Sequence, residues 1–168
     1  HYWRNRRHEE ETTLDPATET NLIYVTGSLK DSRHIRWLQR KLLKYRIPRG
    51  LRGTRGRLGI LGRRAGQVDA PLTGDITDEA LYATEREKIR RASCLIVVCS
   101  GHAPKSKRLD EEIRTFKAEH GEAAVLRCIV GGEPNAGEKA DMDESECFPE
   151  ALRFQVNRDG TFSSQRTE

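Results

Sequence analysis

The sequence predicts an α/β domain with a parallel sheet covered by helices on both faces. Three runs carry that expectation: NLIYVTGS (21–28), CLIVVCS (94–100) and AAVLRCIV (123–130). Each is continuous, apolar and too short to be a stable helix, and the second and third lack the alternation of a strand with one wet face. Segments with helical periodicity separate them. Fully apolar strands alternating with helices are the pattern of a parallel sheet buried on both sides. At 168 residues the chain has room for one domain with a sizeable core.

Taken in order, the first element is the β-branched run 21–28, which ends in Gly27 and Ser28. In DSRHIRWLQRKLLKYRIP, Asp31 or Ser32 caps a helix. Ile35, Leu38, Leu42 and Tyr45 share one face of it, and Pro48 closes it. DEALYATEREKIRRAS (78–93) is the next helix. It leads into the strand 94–100, the clearest in the chain, and RLDEEIRTF (108–116) lies in the helix between that strand and the run at 123–130. A last short strand is expected near RFQVNRDG (153–160). The first 20 residues have no apolar period and no initiator Met, so residues 1–20 are expected to be a flexible flank of an excised or processed chain. Residues 161–168 are expected to be a tail, leaving 21–160 as the folded unit.

Hydrophobic residues make up 35% of the chain and charged residues 33%, with 30 Lys+Arg against 26 Asp+Glu and a net charge of +4. So mild a balance does not by itself argue for a nucleic-acid partner. The four cysteines (Cys94, Cys99, Cys128, Cys147) lack metal-ligand spacing and any Cys-x-x-Cys. No metal site is expected, and apolar surroundings for most of them fit a reducing, cytoplasmic setting. No run approaches the ~20 residues of a membrane span, and no signal peptide is visible.

Residues 46–66, RIPRGLRGTRGRLGILGRRAG, stand apart. Glycine recurs at 50, 53, 56, 59 and 62 among seven arginines and no acid. A solvated loop accounts for this composition. The functional alternative is a phosphate cradle, because glycines let the backbone approach and guanidinium groups grip phosphate bidentately.

The stretch 108–116 raises a sharper question, since Asp110, Glu111 and Glu112 cannot all face water if Leu109, Ile113 and Phe116 face a core. At about 100° per residue, Glu112 falls beside the apolar stripe, with Asp110 and Glu111 on the solvent side. Glu112 also lies roughly one turn into a helix that follows a central strand, near the carboxyl edge where open α/β sheets bind ligands. An arginine partner at the core rim would explain such an acid structurally. Functionally, a fixed carboxylate there can stabilise an oxocarbenium-like cation, and a pyridinium leaving group requires no general acid.

The order IYVTGSLKD, LLKYRIPRGL, SCLIVVCSGHAPKSKRLDEEIRTFK and IVGGEPNAG…ECFPEALRFQV resembles bacterial TIR (Toll/interleukin receptor-like) domains over roughly residues 20–160, and most closely the subset often fused to helical repeats. The resemblance implies a flavodoxin-like α/β fold with a parallel sheet of about five strands. It also implies signalling in bacterial immunity and cleavage of NAD+, as substrate and with no further cofactor, to nicotinamide and ADP-ribose or a cyclic product. Many members use a glutamate on the helix after the third strand, which here is Glu112. Thr26, Gly27, Ser28 and Lys30 would then border the ribose and pyrophosphate, with Arg49 and Arg57 as phosphate contacts and His102 at the rim. Self-association and a fused or partnered regulatory module are also implied.

Three positions depart from the family pattern. Tyr24-Val25-Thr26-Gly27-Ser28 replaces the usual Phe-Ile-Ser-Tyr-Ser, Arg108 stands at the tryptophan position, and Val68-Asp69-Ala70-Pro71-Leu72-Thr73-Gly74-Asp75 replaces the usual cofactor loop. The second and third favour the rival reading, a non-catalytic interaction module. Binding of nucleic acid by the Arg/Gly loop is set aside on the near-balanced charge and the lack of interleaved aromatics.

Overall fold

A computed structural model of the chain describes residues 22–56, 59–60, 66–71, 79–138 and 143–167. The N-terminal flank, Arg57 and the second half of the cofactor-loop position (72–75) lie outside them.

The core is a four-stranded sheet of β1 (Leu22–Gly27), β2 (Gln67–Asp69), β3 (Cys94–Cys99) and β4 (Val125–Ile129). Every pairing is parallel and the order is β2-β1-β3-β4. This is the flavodoxin-like arrangement, with its switch point between β1 and β3. The helices are α1 (Ser32–Lys44), α2 (Glu79–Arg91), α3 (Lys107–His120) and the single turn α4 (Glu150–Arg153).

Alternation along β1 divides the core in two. Leu22 and Tyr24 join Leu95 and Val97 under Ile89 of α2 and Leu109, Ile113 and Phe116 of α3. Ile23 and Val25 face the other way, with Val68, Cys94 and Val98, against Ile35, Leu38 and Leu42 of α1. The sheet is thus covered on both faces, as its apolar strands require. Gly27 sits where the layers come closest. A Cβ there would lie 3.1 Å from Val98 and 3.2 Å from the Ile35 side chain.

Four expectations are corrected. β4 is an edge strand with one open face, so Leu126 is 53% exposed where a doubly buried strand was expected. Among the described residues α1 is the helix on that face, and it packs over β1 and β2. The strand near 153–160 forms, but as β5 (Phe154–Val156), which pairs antiparallel with β6 (Phe162–Arg166) outside the parallel sheet. Among the described residues the parallel sheet has four strands, in keeping with the flavodoxin-like fold expected, and the segment taken for a tail is a strand. Tyr45 leaves the apolar face of α1: helix ends at Lys44, Tyr45 is extended, and its ring is exposed.

The GEPNA and ECFP segments are tied by one buried acid. The Glu146 carboxylate accepts backbone N–H bonds from Asn135, Gly137, Cys147 and Phe148 at 2.8–3.1 Å. Gly132 (φ +84°) lies beside this knot, where a Cβ would come within 2.8 Å of Cys147 and the Ser145 carbonyl.

Candidate functional site

The site gathers where the carboxyl end of β1 meets the first turns of α3. Ser106 caps α3 by accepting the Leu109 N–H at 3.3 Å. With that start fixed, the helical period turns Leu109, Ile113 and Phe116 fully inward and leaves Glu112 beside them, 5% exposed. Glu111 is exposed and accepts a hydrogen bond from the Tyr82 hydroxyl at 3.1 Å. Asp110 departs from the expected solvent position. It is half-buried and accepts the Ala151 N–H at 2.8 Å, supplying the N-terminal cap that Pro149 cannot give α4.

Both oxygens of Glu112 are engaged. Thr26, fully buried on β1, donates its hydroxyl to Oε2 at 2.6 Å. The guanidinium of Arg108, one turn earlier on α3, pairs with Oε1. Its other nitrogen donates to the Gly27 carbonyl at 3.1 Å, so Arg108 ties the end of β1 to α3 across the carboxylate. Burial pushes the Glu112 pKa up. The Arg108 charge and the Thr26 hydrogen bond pull it back, and Glu85 and Glu111 push the same way as burial. The net displacement is upward from the ordinary glutamate value.

A second hydroxyl–carboxylate pair lies alongside. Tyr24, two residues earlier on the same face of β1, donates to Glu85 of α2 at 2.5 Å, and Lys88 pairs with Glu85 at 3.0 Å. Burial, then the bond to Glu85, holds the Tyr24 phenol far above its usual range. Sequence reasoning missed this pair, although Glu85 lies one turn before the buried Ile89, the same kind of position that marked Glu112.

The other expected residues divide by location. Gly27 joins through its carbonyl, while its missing side chain serves packing. Ser28 is buried and its hydroxyl accepts the Lys30 N–H at 3.4 Å; the Lys30 side chain is exposed. His102 is exposed at the carboxyl end of β3, its N–H donating to Ser100 at 3.1 Å. Ser28, Lys30 and His102 thus stand at this edge of the sheet, and none bonds to Glu112. Ser100 also donates to the buried Asp31 at 2.6 Å, an unforeseen link between the ends of β1 and β3. Arg49 does not belong to the group. It follows α1, which runs back about 20 Å from the end of β1, and the chain re-enters the sheet at the start of the parallel strand β2. Arg49 therefore lies toward the opposite edge.

Glu112 is reached from a groove between α2 and α3 with a volume of ≈ 460 Å³, lined by Tyr82, Arg86, Glu111 and Thr115 among others. The groove mixes cationic, acidic and aromatic groups, as a polar ligand with a flat ring would require. Among the described residues no cluster of His, Cys, Asp and Glu is placed to hold a metal ion.

The doubly wound sheet thus carries a buried glutamate, Glu112, on the helix that follows β3. Residues 65–130 match the family model described as Thoeris protein ThsB, TIR-like domain. That span includes β2, α2, β3, α3 and β4, hence Glu85, Arg108 and Glu112. Over these residues the chain is similar to a TIR-like domain of the bacterial kind. Comparisons with curated proteins and with solved structures find no match. No described helix is long and apolar enough to cross a membrane.

Proposed function

We infer that this domain cleaves NAD+ at the bond between nicotinamide and the ribose. One observation carries the reading: a buried carboxylate, Glu112, is fixed by Thr26 at the carboxyl edge of the sheet and opens onto the α2–α3 groove. As the C1′–N bond breaks, its electron pair leaves with nicotinamide, which departs neutral, and positive charge develops on the ribose. Ionised Glu112 stabilises that charge. Water then adds to C1′ and loses a proton, giving ADP-ribose; capture of C1′ by an adenine nitrogen instead gives a cyclic product.

Arg108 sets the condition for this chemistry. While its guanidinium covers Oε1, the two charges cancel much of each other's field. A diphosphate is a stronger bidentate partner for arginine than a lone carboxylate oxygen. The dinucleotide draws Arg108 off Glu112, and substrate binding uncovers the charge that the reaction uses. The domain works in the cytoplasm, gains activity by self-association, and answers to a regulatory module in the same chain or a partner.

The closed Arg108–Glu112 pair also favours a second reading, in which the glutamate is only a structural acid and the domain is an interaction module. Incubating concentrated protein with NAD+ and measuring released nicotinamide separates the two. Release that disappears in Glu112→Gln supports the enzyme, and no release from wild type at any concentration supports the module.

A further inference from the structure

The chain is close to neutral only as a whole. Residues 32–68 contain twelve Lys or Arg and no Asp or Glu, against a net charge of +4 for all 168 residues. The fold places part of this run on one surface. With Ile35 taken as the inward direction of α1, Arg33, Arg36, Arg40, Lys41 and Lys44 all fall within an arc of roughly 140° on the opposite side. All five are exposed. None forms an ion pair with a carboxylate among the described residues. The acid nearest in sequence, Asp31, is buried and bonded to Ser100.

Aromatic rings interrupt this surface. Trp37 sits in the middle of the cationic arc, 53% exposed, with the Lys41 ammonium 5.9 Å from its ring centroid. Tyr45 is equally exposed just beyond the end of the helix, and the exposed Arg46 and Arg49 follow it. An unpaired row of cations with flat rings between them fits a ligand that alternates phosphates with stacked rings.

We propose that the outer face of α1, continued through Tyr45 and Arg49, binds single-stranded nucleic acid. The cations track the phosphates, and Trp37 and Tyr45 stack on bases. Five of the seven cations named are Arg, whose planar group pairs phosphate bidentately and also stacks on bases. An anionic membrane fits less well. A helix lying in a lipid interface inserts its apolar face, and here that face (Ile35, Leu38, Leu42) is already packed on the sheet. The nucleic-acid surface lies across the sheet from the α2–α3 groove, so it stands or falls independently of NAD+ cleavage.

The test is fluorescence anisotropy of labelled 12-nucleotide oligo(U) and oligo(dT) with the whole chain between 50 and 200 mM salt. Five neutralised phosphates give a slope of log K against log salt of about −3.5. Replacing Arg36, Arg40 and Lys44 together with Gln reduces that slope by about 2. Trp37→Ala weakens binding about tenfold or more at every salt concentration, and Trp37→Phe restores most of it. Melting curves of these surface variants should match wild type. The proposal is overturned if wild type does not bind at 50 mM salt or its slope is shallower than about −1. It is equally overturned if Trp37→Ala binds as wild type, or if phosphatidylserine vesicles are bound in preference to the oligonucleotides.

Discussion

Glu111 and Glu112 are adjacent and chemically identical, and the helix separates them by about 100°. Glu112→Gln keeps size and hydrogen bonding but removes the charge that would stabilise a ribosyl cation. It is expected to slow nicotinamide release by roughly 10²-fold or more while leaving the fold intact. Glu111→Gln, at an exposed position, should change the rate by less than about threefold. Equal activity in the two variants would move the catalytic role off Glu112. Titration gives an independent check. A carboxyl whose pKa is raised by folding holds its proton more tightly when folded than when unfolded, so its contribution to stability falls as pH rises through the interval above the ordinary value of 4.5. Gln has no such dependence. The melting temperature of Glu112→Gln relative to wild type should therefore increase between pH 4 and the raised pKa. A constant difference would contradict the upward shift.

At the scale of elements, the Glu146 knot holds the GEPNA turn through four backbone donors in a largely buried setting. Glu146→Ala leaves the Asn135, Gly137 and Phe148 donors without an acceptor, Cys147 alone keeping the Glu133 carbonyl at 3.3 Å, and is expected to cost roughly 2–4 kcal/mol, read as a lower midpoint in urea with an unchanged slope. Loss of hydrogen-exchange protection should centre on Asn135 and Gly137. β4 offers the opposite case. Its exposed Leu126 should tolerate replacement by Gln within about 0.5 kcal/mol, whereas Val97→Ala on the buried β3 should cost considerably more. A large loss at Leu126 would mean that its face is covered in solution.

Across the whole molecule, α3 and the C-terminal hairpin are joined by a buried cation. Lys117 pairs with Glu122 at 2.6 Å and donates to the Phe154 carbonyl at 3.1 Å and to Thr167 at 3.3 Å. Burial lowers its pKa, opposed by Glu122. Arg114 reinforces the junction, donating twice to the Gly160 carbonyl. Deleting residues 161–168 is therefore expected to lower the melting temperature by several degrees, because it opens a buried charge to a broken junction. Deleting residues 1–18, which have no apolar pattern, should lower it by no more than a few. NAD+ cleavage, if built between copies, should fall steeply per molecule on dilution; constant specific activity down to a demonstrated monomer would exclude that assembly.

By itself the sequence determined three of the four sheet strands, their parallel layering and the inward turn of Glu112, because continuous apolar runs and helical periodicity are local properties. It left undecided what meets Glu112. Thr26 is 86 residues away in the chain and Glu85 is 61 from Tyr24, and no local pattern states such pairings. Arg108 could be read as a departure from a family pattern, but only its position beside the Gly27 carbonyl makes it a cap on the carboxylate. The open face of β4 was equally hidden, since an apolar run looks the same whether a helix covers it or not. The cationic face of α1 was diluted by acids elsewhere in the chain. Composition adds charges over all residues, whereas a surface is made only of those that packing leaves facing outward together.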